Sequence, residues 1–115
     1  MILVIGGLAS GKREYVRKEY GYSDQDIADA VLDDKPVICN LQDLIERDPD
    51  KGRSMAAELM KKQIVICNEI GCGIVPMSQN DRETREAVGR LCIKLAREAD
   101  TVIRIYSGIP TVIKG

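Results

Sequence analysis

Residues 2–12, with the sequence ILVIGGLASGK, decide the fold of this chain. The continuous apolar run from Ile2 to Ile5 is typical of a short buried strand in a parallel sheet. The residues that follow fit the pattern G-x-x-x-x-G-K and open a predicted helix, which is the context of a phosphate-binding loop. In such a loop backbone N–H groups converge on phosphate oxygens, and the helix N-terminus adds a favourable potential. We therefore predict a strand–loop–helix unit that binds nucleotide phosphates.

The loop keeps its lysine but lacks a metal-binding hydroxyl. We expect Lys12 to place a positive charge at the β- and γ-phosphates. The next residue in the full motif is Ser or Thr, whose hydroxyl binds Mg²⁺, whereas here it is Arg13, which does not coordinate a cation. Either a carboxylate and water hold the metal, or the loop binds nucleotide weakly, or it is a glycine-rich turn without a ligand. The predicted nucleotide-binding residues are Gly6, Gly7, Ser10, Gly11, Lys12 and Arg13.

Strand-like and helix-like segments alternate through the rest of the chain. Further strands are predicted at 36–39, 64–67, 102–106 and 111–114, with helices at 11–20, 40–47, a segment ending near residue 62, and 81–99. Capping-box spacing at Ser23 and Asp26 indicates a short helix in an otherwise ambiguous segment, and Asn40 and Asn80 are candidate helix caps. This alternation predicts an α/β fold with a mainly parallel sheet flanked by helices, in one small domain over residues 1–115.

Composition limits the class of protein. The chain has 115 residues, of which 44% are hydrophobic and 30% charged, and its net charge of −1 gives no basic field for nucleic acid. No stretch approaches membrane length, so we expect a cytoplasmic protein with no membrane partner. We expect the four cysteines (39, 67, 72 and 92) to be thiols, and without any histidine the sequence does not favour a structural zinc site.

Several motifs, kept in one order, resemble those of a single family. The loop at 6–12 is similar to an opening G-G-x-x-S-G-K-S, and residues 68–76 (NEIGCGIVP) are close to N-E-V-G-x-G-I-V-P. Residues 89–100 resemble G-R-x-N-x-x-[LV]-A-x-x-A-D, and 107–110 (SGIP) resemble a closing S-G-[IL]-P. On these motifs the sequence resembles the bifunctional adenosylcobinamide kinase/adenosylcobinamide-phosphate guanylyltransferase family of cobalamin biosynthesis.

The resemblance implies a RecA-like P-loop fold and a nucleotide-dependent transferase. It implies ATP or GTP as phosphoryl donor, adenosylcobinamide as acceptor, GTP as guanylyl donor in a second step, and a homo-oligomer. Glu69 follows a predicted strand, so it lies where open α/β sheets place ligands, and it matches an active-site glutamate of the family. We predict Lys12 and Glu69 as catalytic residues, with Glu69 holding Mg²⁺ or orienting the acceptor hydroxyl; the alternative is a surface acid.

The chain also departs from the family at chemically important positions. The family's guanylylated histidine has no counterpart, since the chain contains no histidine. Cys39 or Asn40 stands where the family has a strand-end Asp, with Asp43 one helical turn further on, and Cys92 lies near a lost Asn. Two functions therefore stay open: a reduced kinase without guanylyl transfer, and a non-catalytic paralogue that binds nucleotide or corrinoid or serves as an interaction module.

Overall fold

The computed structural model describes residues 1–7, 11–68 and 79–115, with the side chains of these residues except at 51–53 and 79–81. The strands are β1 (Ile2–Gly6), β2 (Ile27–Asp29), β3 (Val37–Cys39), β4 (Ile64–Asn68), β5 (Thr101–Tyr106) and β6 (Ile109–Lys114). The helices are α1 (Lys12–Tyr20), α2 (Leu41–Arg47), α3 (Gly52–Leu59) and α4 (Gln79–Glu98), with short 3₁₀ helices at Asp24–Asp26 and Pro49–Lys51.

The described strands form one sheet in the order β2-β3-β4-β1-β5-β6. Every neighbouring pair is parallel except β5 and β6, which form an antiparallel hairpin at one edge. The predicted α/β fold with a mainly parallel sheet is therefore confirmed. Apolar runs without alternation mark strands that are covered on both faces, and β1 and β4 lie at the centre of this sheet.

Helices cover both faces of the sheet, and successive strand residues alternate between them. On β4, Val65 and Cys67 join the core on the face of α2, α3 and α4, whereas Ile64 and Ile66 join the core on the α1 face. Val16 is the fully buried residue through which α1 contacts that second core. The two cores explain how a chain without Phe or Trp buries its sheet, since branched aliphatic side chains fill both layers.

The segment at 23–34 contains a strand that the sequence did not predict. The capping box of Ser23 and Asp26 is present and begins the 3₁₀ helix Asp24–Asp26, as predicted. Directly after it, β2 pairs with β3, and Ile27 and Ala28 are buried. A strand of three residues is too short to show a recognisable periodicity, so only its pairing with β3 reveals it.

One predicted helix cap is in position and the other is wrong. Asn40 occupies the N-cap position of α2 with φ 54°, but it makes no side-chain cap hydrogen bond. Its Oδ1 accepts from the Gln42 amide instead, and its own amide donates to Asp29. Asn80 lies inside α4, which begins one residue earlier at Gln79. Helix α3 begins at Gly52 and ends at Leu59, three residues before the predicted end near residue 62.

The β5–β6 connection is tighter than predicted. Ser107 and Gly108 both have positive φ, at 48° and 77°, which is the backbone of a two-residue type I′ hairpin turn. Ile109 and Pro110 therefore belong to β6 and not to the turn, and Pro110 is tolerated because β6 is an edge strand. Within the described ranges, none of the helices combines the length and apolar character needed to cross a bilayer.

Candidate functional site

The carboxyl ends of β1 and β4 form the natural ligand crevice of this sheet. The two strands are neighbours, and Gly6 pairs with Asn68 in the register. Helix α1 follows β1 on one face of the sheet, whereas α4 follows β4 on the opposite face. Strands whose following connections diverge in this way leave a gap at their carboxyl ends, where open α/β sheets bind ligands.

The phosphate-loop lysine lies in this crevice and folds back onto the start of the loop. The Lys12 Nζ atom donates a hydrogen bond of 2.6 Å to the carbonyl oxygen of Gly7. The residue is only 7% exposed, and burial lowers the pKa of Lys12, an effect that the nearby Cys67 partly opposes. An ammonium held in this way has lost part of its hydration, so a phosphate group placed beside it would be bound strongly.

The other end of the loop contacts a second motif from the far end of the chain. Gly11 has φ 90°, and a Cβ atom there would lie 3.6 Å from the Cα atom of Gly108 in the β5–β6 turn. The tertiary structure thus brings the glycine–lysine motif and the S-G-I-P segment together, although about a hundred positions of sequence separate them.

Arg13 extends toward Asp24, in the 3₁₀ helix before β2, and toward Cys39 at the carboxyl end of β3. Its Nη2 atom lies 3.2 Å from Oδ1 of Asp24, and its Nε atom is buried without a hydrogen-bond partner among the described residues. The guanidinium also acts on Cys39: burial and Asp29 raise the pKa of the Cys39 thiol to about 11, and Arg13 opposes part of this rise. Cys39 is therefore a protonated thiol, unable to replace a strand-end carboxylate at neutral pH.

A chain of polar side chains joins the carboxyl ends of β2, β3 and β4. The Asn40 amide donates to Oδ1 of Asp29 at 2.7 Å, and the Gln42 amide donates to Oδ1 of Asn40 at 3.3 Å. Oε1 of Gln42 in turn accepts the backbone N–H of Asn68 at 3.0 Å. Gln42, which is only 9% exposed, thus connects Asn40 at the edge of the crevice with Asn68, the last residue of β4.

Sequence reasoning did not identify Asp29 or Gln42 as site residues. Asp29 ends the unpredicted strand β2 and supplies a carboxylate at the edge where the family's strand-end Asp is missing from β3. Gln42 follows β3 by three residues, so the same strand-end rule that selected Glu69 would have selected it once β3 was placed. Asp43, the suggested substitute, is exposed on the first turn of α2.

The remaining predicted residues divide into two groups. Gly6, Gly7, Gly11, Lys12 and Arg13 lie at the carboxyl end of β1 or on the first turn of α1, as predicted. Ser10 and Glu69 lie outside the described residues, so their roles stay predictions. Cys67 packs in the core with its Sγ atom 3.7 Å from Sγ of Cys92, and this contact together with burial raises the pKa of the Cys67 thiol.

The described part of the site does not fit a magnesium ion. Arg13 stands at the position of the motif's hydroxyl, and its guanidinium is cationic. The nearest carboxylates are engaged, Asp24 by Arg13 and Asp29 by the Asn40 amide. Among residues 1–7, 11–68 and 79–115, no group of three or more His, Cys, Asp or Glu side chains could hold a metal ion.

Comparison with known proteins identifies the family. The family model described as cobinamide kinase / cobinamide phosphate guanyltransferase matches residues 25–113, a range that begins after the phosphate loop and α1. The bifunctional adenosylcobalamin biosynthesis proteins CobU of Salmonella typhimurium and Escherichia coli are each 42% identical to the chain over 53 residues. This segment is 46% of the chain and spans only 29% of the length of either relative. Since the family model matches most of the sequence, the chain belongs to the cobinamide kinase / cobinamide phosphate guanyltransferase family.

Proposed function

We propose that residues 1–115 form one P-loop domain that binds ATP or GTP and transfers the terminal phosphoryl group to a side-chain hydroxyl of a corrinoid such as adenosylcobinamide. The observation that carries the proposal is the buried Lys12 ammonium, closed onto Gly7 at the end of a central parallel strand. Guanylyl transfer through a histidine is lost, because the chain contains none. We expect this activity in the cytoplasm.

Phosphoryl transfer requires mainly positioning and charge stabilisation, which the residues at this site supply. The backbone N–H groups of the loop and the first turn of α1 orient the phosphates, and Lys12 neutralises the charge that shifts toward the leaving oxygen. The partly desolvated ammonium contacts a phosphate directly when nucleotide binds. Glu69, the residue that follows β4 in the sequence, is predicted to orient the acceptor hydroxyl.

Calorimetric titration with ATP and with GTP tests this proposal, using a Lys12→Ala variant and a Lys62→Ala control. Lys62 is a matched control because it is also buried, at 8% exposure, and its Nζ atom also donates to backbone carbonyls, those of Asp33 and Lys35. It lies at the amino end of the sheet, just before β4 begins. We expect binding that Lys12→Ala abolishes and Lys62→Ala preserves, measured under conditions where both variants remain folded.

The result then decides the next step. Binding lost only in Lys12→Ala justifies an assay of phosphate transfer from radiolabelled ATP or GTP to adenosylcobinamide. No binding of either nucleotide at millimolar concentration overturns the proposal. Equal loss in both lysine variants would attribute the effect to stability and not to the loop.

A second candidate function is a non-catalytic paralogue that binds nucleotide or corrinoid without transferring phosphate. The uncharged Cys39 thiol at the end of β3 favours it, because a phosphotransferase gains from a carboxylate there. Nucleotide binding with no phosphate transfer to adenosylcobinamide, in protein that is folded and concentrated, would select this function over the first.

A further inference from the structure

We propose that the Arg13 guanidinium replaces the divalent cation at this site, so that the loop binds nucleoside triphosphate without Mg²⁺. The inference rests on the proposed nucleotide binding and specifies which positive group neutralises the phosphates. Arg13 occupies the position after Lys12, on the first turn of α1, where the motif's hydroxyl would hold the metal. A guanidinium carries a permanent positive charge and a planar fork of donors that matches phosphate oxygens, so it supplies charge and orientation together.

The present partner of Arg13 is easily given up. The Arg13 and Asp24 side chains are 43% and 61% exposed, and exposed ion pairs of this kind contribute little to stability. Arg17, one helical turn further along α1, lies 3.7 Å from the same carboxylate oxygen. Asp24 therefore keeps a cationic partner when Arg13 turns toward the phosphates.

The Arg13 side chain also has an unmet hydrogen bond in the unliganded protein. Its Nε atom is buried and has no acceptor among the described residues, which is an unfavourable state for a cationic donor. A phosphate can accept from Nε and Nη2 together in the bidentate arrangement that guanidinium groups favour. Binding of a triphosphate therefore removes a cost that the unliganded structure carries.

The surrounding charges disfavour a metal ion at the same place. Lys12 and Arg13 are adjacent cations, and a divalent ion beside them would be repelled unless carboxylates were free to hold it. The nearby described carboxylates are already engaged, Asp24 with two arginines and Asp29 with the Asn40 amide. The site is thus built to neutralise phosphate with side-chain cations.

Titration of the full chain with ATP in excess EDTA and again with millimolar Mg²⁺ tests the inference. We expect the affinity of the native protein to differ by less than about threefold between the two conditions. Arg13→Ala loses about tenfold or more in EDTA, the loss typical of a missing charge-assisted contact to phosphate. Arg13→Ser, which restores the hydroxyl, also binds weakly in EDTA and recovers when Mg²⁺ is added.

Lys18→Ala is the matched control, since it removes one positive charge from the same helix, and Lys18 pairs with Glu14 and not with Asp24. We expect it to bind ATP in EDTA with an affinity within about threefold of that of the native protein. An exposed charge that does not contact the phosphates acts on them only at long range, and salt screens that interaction. Circular dichroism confirms that each variant is folded.

The outcomes separate the inference from the proposed function. Binding by the native protein that needs Mg²⁺ overturns the role of Arg13 and leaves nucleotide binding intact. Arg13→Ala binding as tightly as the native protein in EDTA does the same. Absence of binding in both EDTA and Mg²⁺ removes the proposed function and this inference with it.

Discussion

The Nζ atom of Lys12 lies 2.6 Å from the carbonyl oxygen of Gly7, so the lysine that ends the phosphate loop closes onto a glycine near its start. The lysine is almost fully buried, so its ammonium has lost much of its hydration. An anionic ligand placed beside this ammonium would therefore be bound strongly.

This relationship predicts how stability depends on pH. Burial lowers the pKa of Lys12 below its usual value of 10.5, so the unfolded chain binds more protons than the folded protein between the two pKa values. The contribution of this group to the free energy of unfolding therefore rises with pH up to about 10.5. We expect Lys12→Met to lose this rise, measured by urea unfolding of both proteins across the alkaline range. Parallel pH profiles for the two proteins would contradict the assignment.

Two glycine substitutions separate backbone strain from packing. Gly11 has φ 90°, and among the described residues its added Cβ would meet Gly108 at an ordinary contact distance, so Gly11→Ala is disfavoured by its backbone conformation. We expect a loss of about 1–2 kcal/mol. Gly89 lies inside α4, and no described atom lies within 4 Å of an added Cβ, so Gly89→Ala should gain about 0.5–1 kcal/mol. Urea unfolding measures both, and a stabilising Gly11→Ala would contradict a left-handed conformation at Gly11.

Gln42 provides a test of the polar chain at the strand ends. Gln42→Met keeps the side-chain volume but leaves the Asn68 N–H and the Asn40 carbonyl oxygen without their partner. We expect a loss of about 1–3 kcal/mol in the free energy of unfolding. Gln63→Met is the control, because that side chain is exposed and should change stability by less than about 0.5 kcal/mol. Equal effects at both positions would show that the hydrogen bonds of Gln42 contribute nothing specific.

The exposed apolar side chains of the edge strand β6 favour association of copies of the chain. Ile109, Val112 and Ile113 are 65%, 59% and 57% exposed on a strand at the end of the sheet, and exposed apolar edge strands favour pairing with another chain. We expect a concentration-dependent oligomer in sedimentation velocity that Val112→Lys shifts toward monomer. Ile93→Lys is the control, since Ile93 is equally exposed, at 56%, but lies on α4. A native protein that sediments as a monomer at every concentration would overturn this prediction.

The elements that were predicted correctly are those with a local signal. The strand predicted from the run at Ile2–Ile5 and the helix predicted at 81–99 each depend on residues close together in the chain. The predictions that were missed or wrong also have a physical reason. The strand β2 is three residues long and gains its stability from β3. The Asn40 amide donates to Asp29, eleven positions earlier, and its side chain makes no cap bond to a backbone N–H of α2. Local propensity depends on neighbouring residues in the sequence and does not include either of these distant partners.

The sequence by itself determined the α/β class, the strand–loop–helix unit with Lys12 and the family resemblance, because hydrophobic periodicity and motif spacing are local properties of the chain. Only the tertiary structure decided what surrounds that unit. The sheet order places Asn68 beside Gly6 and Gly108 beside Gly11, and it directs Arg13 toward Asp24 and the end of β3. These contacts join segments that are distant in sequence, and they form because parallel strands bring their carboxyl ends to one edge of the sheet.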